Sequence, residues 1–219
     1  GIQEVYEAIA EHGLRSTKTV WVYPPRDEHL FEGDSLTSSS EYLEFIRGLA
    51  RNEFEIGLHN VGSGNFTRSE IEDGIEMFAA LLGFYPSIHV NHSYNKDNIY
   101  GGDKRFSFPF DSVVRRLYGA YSGFEGDDES SECFWGDIHK RLIRFSRSYE
   151  LDGLNLWRHV KFPYRDAKYD DYCNLFYPAV FCSNQDLFYH QVSRRSLNQL
   201  VSDRGCGVIY THFGYFTER

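Results

Sequence analysis

Apolar positions along this chain recur at two spacings. Val5, Ala8 and Ile9, with His12, keep helical spacing and Gly13 follows as a stop, which predicts a helix over 3–12. Thr17–Tyr23 (TKTVWVY) is β-branched and aromatic and predicts a strand ended by Pro24-Pro25. The polar stretch 26–40 reads as a loop. Ser38 with Glu41 forms a capping box for a helix running through Asn52, with Leu43, Ile46 and Leu49 on one face. Phe54–Leu58 predicts a short strand that ends at His59, and Gly62, Ser63 and Gly64 a loop. Thr67 with Glu70 caps the next helix, whose stripe is Ile71, Ile75, Phe78 and Leu82 and whose stop is Gly83. Ser87–Asn91 (SIHVN) predicts another strand.

Residues 93–136 are rich in Asn, Gly, Asp and aromatic residues, with one helix expected at 111–118. Residues 137–151 read as mixed. Strand-like pieces (LWRHVKF and YPAVFC) flank a charged turn at Arg165–Asp171. A helix starting at Ser196, stopped by Gly205, leads into a strand over Gly207–Phe213 (GVIYTHF). Short strands alternating with helices predict a parallel α/β sheet, open or closed into a barrel. With no internal repeat and no linker, residues 1–219 read as a single domain.

Charge and composition narrow the function. The net charge of −9 with no basic block argues against a nucleic-acid surface or an anionic membrane. No apolar run is long enough to span a bilayer. Cys133, Cys173, Cys182 and Cys206 form no CxxC, so a structural zinc site is not expected. They read as thiols of a cytoplasmic protein, although residue 1 is Gly and a signal peptide could lie upstream. Aromatic residues make up 17% of the chain, enough to supply platforms for sugar rings as well as a core.

The predicted strands end in polar groups: His59-Asn60, then Asn91-His92, then His212. In parallel α/β folds, sites collect at the C-terminal ends of strands. Imidazole is both the commonest metal ligand and the usual acid or base near neutral pH. His89 shares a strand face with Asn91, and spacing leaves open which of His89 and His92 faces the site. His12, His29, His139, His159 and His190 read as surface or packing residues. Asp137 and Asp186 are the carboxylates that a two-carboxylate glycosidase would need, and their spacing does not mark them as such.

At these residues the sequence resembles the polysaccharide deacetylases of the carbohydrate esterase family 4 fold. Glu55-Ile56-Gly57-Leu58-His59 is similar to the family's second motif, a strand leading into His-(Ser/Thr)-x-x-His. Val208-Ile209-Tyr210-Thr211-His212-Phe213 is similar to its last motif. The resemblance is to a divergent, deacetylase-like branch, and it implies an incomplete or distorted (β/α) barrel with parallel strands. It implies a divalent metal, usually zinc, held by an Asp and two His, and removal of an acetyl group from a saccharide by metal-activated water. By position His59 is the first histidine ligand and His212 the general acid. The second ligand position falls on Ser63, so His89 or His92 is the expected replacement. The Asp-Asp motif would precede residue 1, which reads as a truncated first strand.

The expectation is therefore a metal-dependent hydrolase acting on a cell-surface saccharide or its precursor. Asn60, Asn91, Trp135 and Tyr164 are expected to contact substrate, and Tyr94, Tyr100 and Trp157 are further stacking platforms. The alternative is a saccharide-binding domain that kept the fold and lost the chemistry, which Ser63 supports. The sequence does not give the oligomeric state.

Overall fold

The structure is a computed structural model that describes residues 2–26, 32–102, 110, 113, 116, 117 and 123–213. In chain order these form α1 (Ile2–Glu11), β1 (Thr17–Val20), α2 (Ser40–Arg51), β2 (Glu55–Leu58), α3 (Arg68–Leu82) and β3 (Ile88–His89). There follow α4 (Gly136–Leu142), β4 (Phe145–Glu150), β5 (Leu175–Cys182), α5 (Gln185–Gln191), α6 (Arg194–Ser202) and β6 (Ile209–Thr211). The α/β class and the parallel strands are as the sequence predicts. The helix expected at 111–118 lies mostly outside the described residues. Two compact units are formed, one by 15–146 with 166–174, the other by 1–14, 147–165 and 175 onward.

In the first unit β1, β2, β3 and the start of β4 are parallel neighbours in chain order, the connectivity of a β/α barrel. Val20 stands opposite Leu58, Leu58 opposite His89, and His89 opposite Ser146. Residues in register share a face, so one buried row changes from apolar to polar as it crosses the strands. Helix α3 starts with the predicted capping box of Thr67 and Glu70 and ends on Gly83, whose φ of 87° is the left-handed conformation that favours glycine. Its buried face is Ile71, Gly74, Ile75 and Phe78. Helix α2 is capped by Ser39, which accepts from the Tyr42 N–H. The expected cap, Ser38, instead donates to the Ser35 carbonyl.

β3 is shorter than the predicted Ser87–Asn91. Its ladder runs as far as Val90, whose N–H reaches the Leu58 carbonyl. From His92 onward the backbone bonds to asparagine side chains instead. β1 likewise stops at Val20, before the expected Tyr23.

In the second unit Leu151, just past β4, donates to Ala179 in β5, and β5 runs parallel to β6. Leu156, Val180 and Cys182 centre its core, with Leu151, Phe162, Phe188, Val208 and Ile209 packed around them. The piece LWRHVKF is not a strand: Leu156–Arg158 is a 3-10 turn closed by local i→i+3 bonds. Helix α5 was not expected, and α6 starts at Arg194, two residues ahead of Ser196, because Ser193 caps it.

All four cysteines are free thiols. Cys133, Cys173 and Cys182 are buried, and Cys206 is half-buried. Burial pushes the Cys133 thiol up to about 11 and raises that of Cys173. Among the described residues no helix is long and apolar enough to cross a membrane.

Candidate functional site

The chain leaves β2 through His59 and turns at Asn60, whose φ of 47° is left-handed, a conformation asparagine adopts more readily than most residues. This turn sends residues 61–64 back along the strand end. There Asn95 brackets Ser63: its amide donates to the Gly62 carbonyl and accepts from the Gly64 N–H. Beyond β3, His92 is fixed by its backbone. Its N–H donates to the side-chain oxygens of Asn60 and Asn98, and its carbonyl accepts from the Asn98 amide.

These loops bring His59, His92 and Ser63 into one line. His59 Nδ1 lies 3.1 Å from the Val90 carbonyl, His59 Nε2 lies 2.9 Å from His92 Nδ1, and His92 Nε2 lies 3.0 Å from Ser63 Oγ. A carbonyl only accepts, so His59 carries its proton on Nδ1 and, when neutral, presents Nε2 as an acceptor. His92 then donates from Nδ1 and accepts the Ser63 hydroxyl at Nε2. Donation runs one way, from Ser63 through His92 and His59 to Val90. Trp21 stacks parallel to His59 at 6.3 Å and meets His92 edge-on. Ser63 and His92 are buried, and His59 is half-buried.

A second network lies behind this line. Asn60 Nδ2 donates to Asp97 Oδ2 at 2.6 Å, and Asn60 Oδ1 lies 3.1 Å from His89 Nε2. Since Asn60 Oδ1 also accepts from the His92 backbone N–H, the amide orientation is fixed and His89 donates from Nε2. His139 Nδ1 donates to the Tyr172 carbonyl at 2.7 Å. The two remaining ring nitrogens, His89 Nδ1 and His139 Nε2, face each other at 3.2 Å, with Ser146 Oγ also 3.2 Å from the latter. Burial pushes the Asp97 carboxyl up to about 7, against the pull of the Asn60 amide and nearby N–H groups. Burial also lowers His139 to about 4. Asp97 thus keeps its proton toward neutral pH, while His139 stays neutral down to about 4 and its Nε2 accepts from the Ser146 hydroxyl.

The structure answers which histidine faces His59: it is His92. His89 is fully buried with both ring nitrogens turned into the second network, which removes it from the expected ligand set. Trp135 is 1% exposed and donates its indole N–H to the Asp97 carbonyl, so it is a wall of that network and not a sugar platform. Asn60 is also enclosed and acts as the link between the two networks instead of a substrate contact. Asn91, half-buried, donates to the Tyr100 carbonyl at 2.5 Å. Asp137 is bound two-pronged by Arg68, which holds its carboxyl below the usual range. In the second unit, Tyr164 donates to Ser148, and His212 follows β6 against the rings of Phe181 and Tyr210.

Sequence reasoning missed Asp97, Asn95, Asn98 and His139. The first three sit in a run of loop-forming residues with no spacing signal, and His139 reads as helix packing. Trp21 was legible only as a strand aromatic.

The resemblance implies zinc held by three protein ligands. His59 Nε2 and His92 Nδ1 converge as two ligands would, and each ring is oriented through its other nitrogen. Among the described residues, however, no group of three or more His, Cys, Asp or Glu stands ready to hold a metal. His59 and His92 thus represent two of the three ligands such a set requires, and no chemistry is derived through it. Comparison with family models, curated proteins and solved structures finds no match.

Proposed function

We propose that this chain is a hydrolase that removes an acyl group from a saccharide, with His59 and His92 as its proton-handling pair. The observation that carries the reading is the Ser63–His92–His59 line at the ends of two neighbouring parallel strands. His59 is the member nearest solvent. When His92 carries its proton on Nε2 and donates to Ser63, whose hydroxyl accepts as readily as it donates, the gap between His92 Nδ1 and His59 Nε2 holds no proton and takes the one released by an attacking water. That proton is given up to the leaving saccharide atom as the acyl bond breaks, so both rings end neutral, as they began. The saccharide class follows the sequence resemblance.

The test is acetate release from acetylated oligosaccharides, with added zinc and with a chelator. Release is expected from the wild type and is expected to fall at least ~100-fold in His59→Ala and His92→Ala. Ser63→Ala should lose much of the rate and Ser63→Thr should keep it, since Thr preserves the hydroxyl. No release under either condition would sink the hydrolase reading. A saccharide-binding domain is the second reading, favoured by Ser63 at the position of the family's second ligand. Calorimetric binding of the same oligosaccharides without release would establish it.

A further inference from the structure

The second unit contains a cavity of about 320 Å³ between the 3-10 turn Leu156–Arg158 and the turn that follows α6. Its walls include Asn155, Trp157, Arg158, Lys161, Asp203 and Arg204. Three cations thus surround one carboxylate. That carboxylate is already spent: Asp203 accepts from Asn155 Nδ2 at 3.0 Å, from Gln199 at 2.7 Å and from Arg158. These donors hold its carboxyl below the usual range. Among the described residues, neither Lys161 nor Arg204 has a carboxylate within ion-pair distance. The unit that holds this cavity, residues 1–14, 147–165 and 175–219, has a net charge of zero in a chain whose total is −9.

The walls are built to hold these groups. Lys161 Nζ sits 4.6 Å over the ring of Trp157, which directs the ammonium along the aromatic face. Arg204 has a φ of 48°, a left-handed conformation that a long side chain rarely adopts. Gly205 follows because a Cβ there would come within 2.3 Å of Asn155 Oδ1, so only glycine lets the turn close on the amide. Two polar atoms of this wall, Trp157 Nε1 and Asn155 Oδ1, are enclosed without a hydrogen-bond partner. One is a donor suited to an anionic oxygen, and the other an acceptor suited to a hydroxyl.

We propose that this cavity binds an anionic sugar, its phosphate or carboxylate held by Lys161, Arg204 and Arg158 beside Trp157. Charge-assisted bonds from guanidinium and ammonium recognise either anion, and Asn155 is the group for a ring hydroxyl. The anion class stands on the cavity alone; the sugar part rests on the proposed function.

Calorimetric titration of the full chain with glucose 6-phosphate, glucuronate, inorganic phosphate and glucose tests this. The phosphorylated sugar or the uronate is expected to bind, glucose is not, and raised salt should weaken the binding. The two anions, compared side by side, tell phosphate from carboxylate recognition. The Lys161→Gln/Arg204→Gln double variant should bind at least tenfold more weakly, with an unchanged melting curve. Trp157→Phe should remove a fluorescence change on binding. Absence of binding by both sugars, or binding untouched by the double variant, would overturn the site. Equal affinity for inorganic phosphate would overturn the sugar part. None of these readouts depends on acetate release, so the site and the hydrolase reading fail separately.

Discussion

Asp97 and His139 show how two buried groups offset each other. Asp97 is raised to about 7 in the folded chain, so the native state holds a proton that the unfolded chain has released above about pH 4. Its contribution is present at low pH and is lost as pH rises toward 7. His139 is lowered to about 4, so its contribution is present above its ordinary 6.5 and is lost as pH falls toward 4. Between about pH 4 and 6.5 the two slopes have opposite sign and nearly cancel. Asp97→Asn keeps an oxygen for the Asn60 amide and removes one slope. The wild type should therefore be nearly flat in urea titrations across this range, whereas the variant should gain about 3 kcal/mol from pH 4 to pH 6.5, at 1.36 kcal/mol per unit of pKa. A flat variant would show that His139 is not held neutral by burial. None of this pairing was legible in the sequence, because Asn60, His89, Asp97 and His139 are joined across separations of 29 to 50 residues.

Elements were legible where their signals are local. The Thr67–Glu70 box and the Gly83 stop lie within the helix they bound, and α3 has the predicted ends. The α2 cap fell one residue off because Ser38 and Ser39 are equally able to cap, and only the bond of Ser38 to Ser35 decides between them. β3 was overestimated because partners from distant loops take over its backbone at His92. Helix α3 also contains a test of packing against propensity. A Cβ on Gly74 would lie 2.8 Å from Val61 Cγ1 and 3.0 Å from Tyr23 Cε2. Gly74→Ala gains up to about 1 kcal/mol of helix propensity, while overpacking costs about 1–3 kcal/mol. The variant should thus be less stable by about 1 kcal/mol in chemical denaturation. Since Val61 adjoins Asn60, it should also reduce acetate release. A stabilised Gly74→Ala would mean that the loop after β2 yields easily.

At the scale of the whole molecule, strand ends pointed to His59 and His92, while the anionic-sugar cavity left no trace in the hydrophobic pattern. Its cations are scattered over 158–204, and the acidic total conceals them. The four thiols have a use of their own. Cys133 and Cys173 belong to one compact unit, and Cys182 and Cys206 to the other. A thiol shielded by packing reacts with an alkylating reagent only when its surroundings open, so labelling rates measure local opening. Mass spectrometry over time should show Cys206 modified first and the three enclosed thiols much later. If Cys173 and Cys182 then react at one common rate, the molecule opens as a single cooperative body; two distinct rates would show that each unit breathes on its own clock. The sequence thereby carries a stopwatch for each half of the fold.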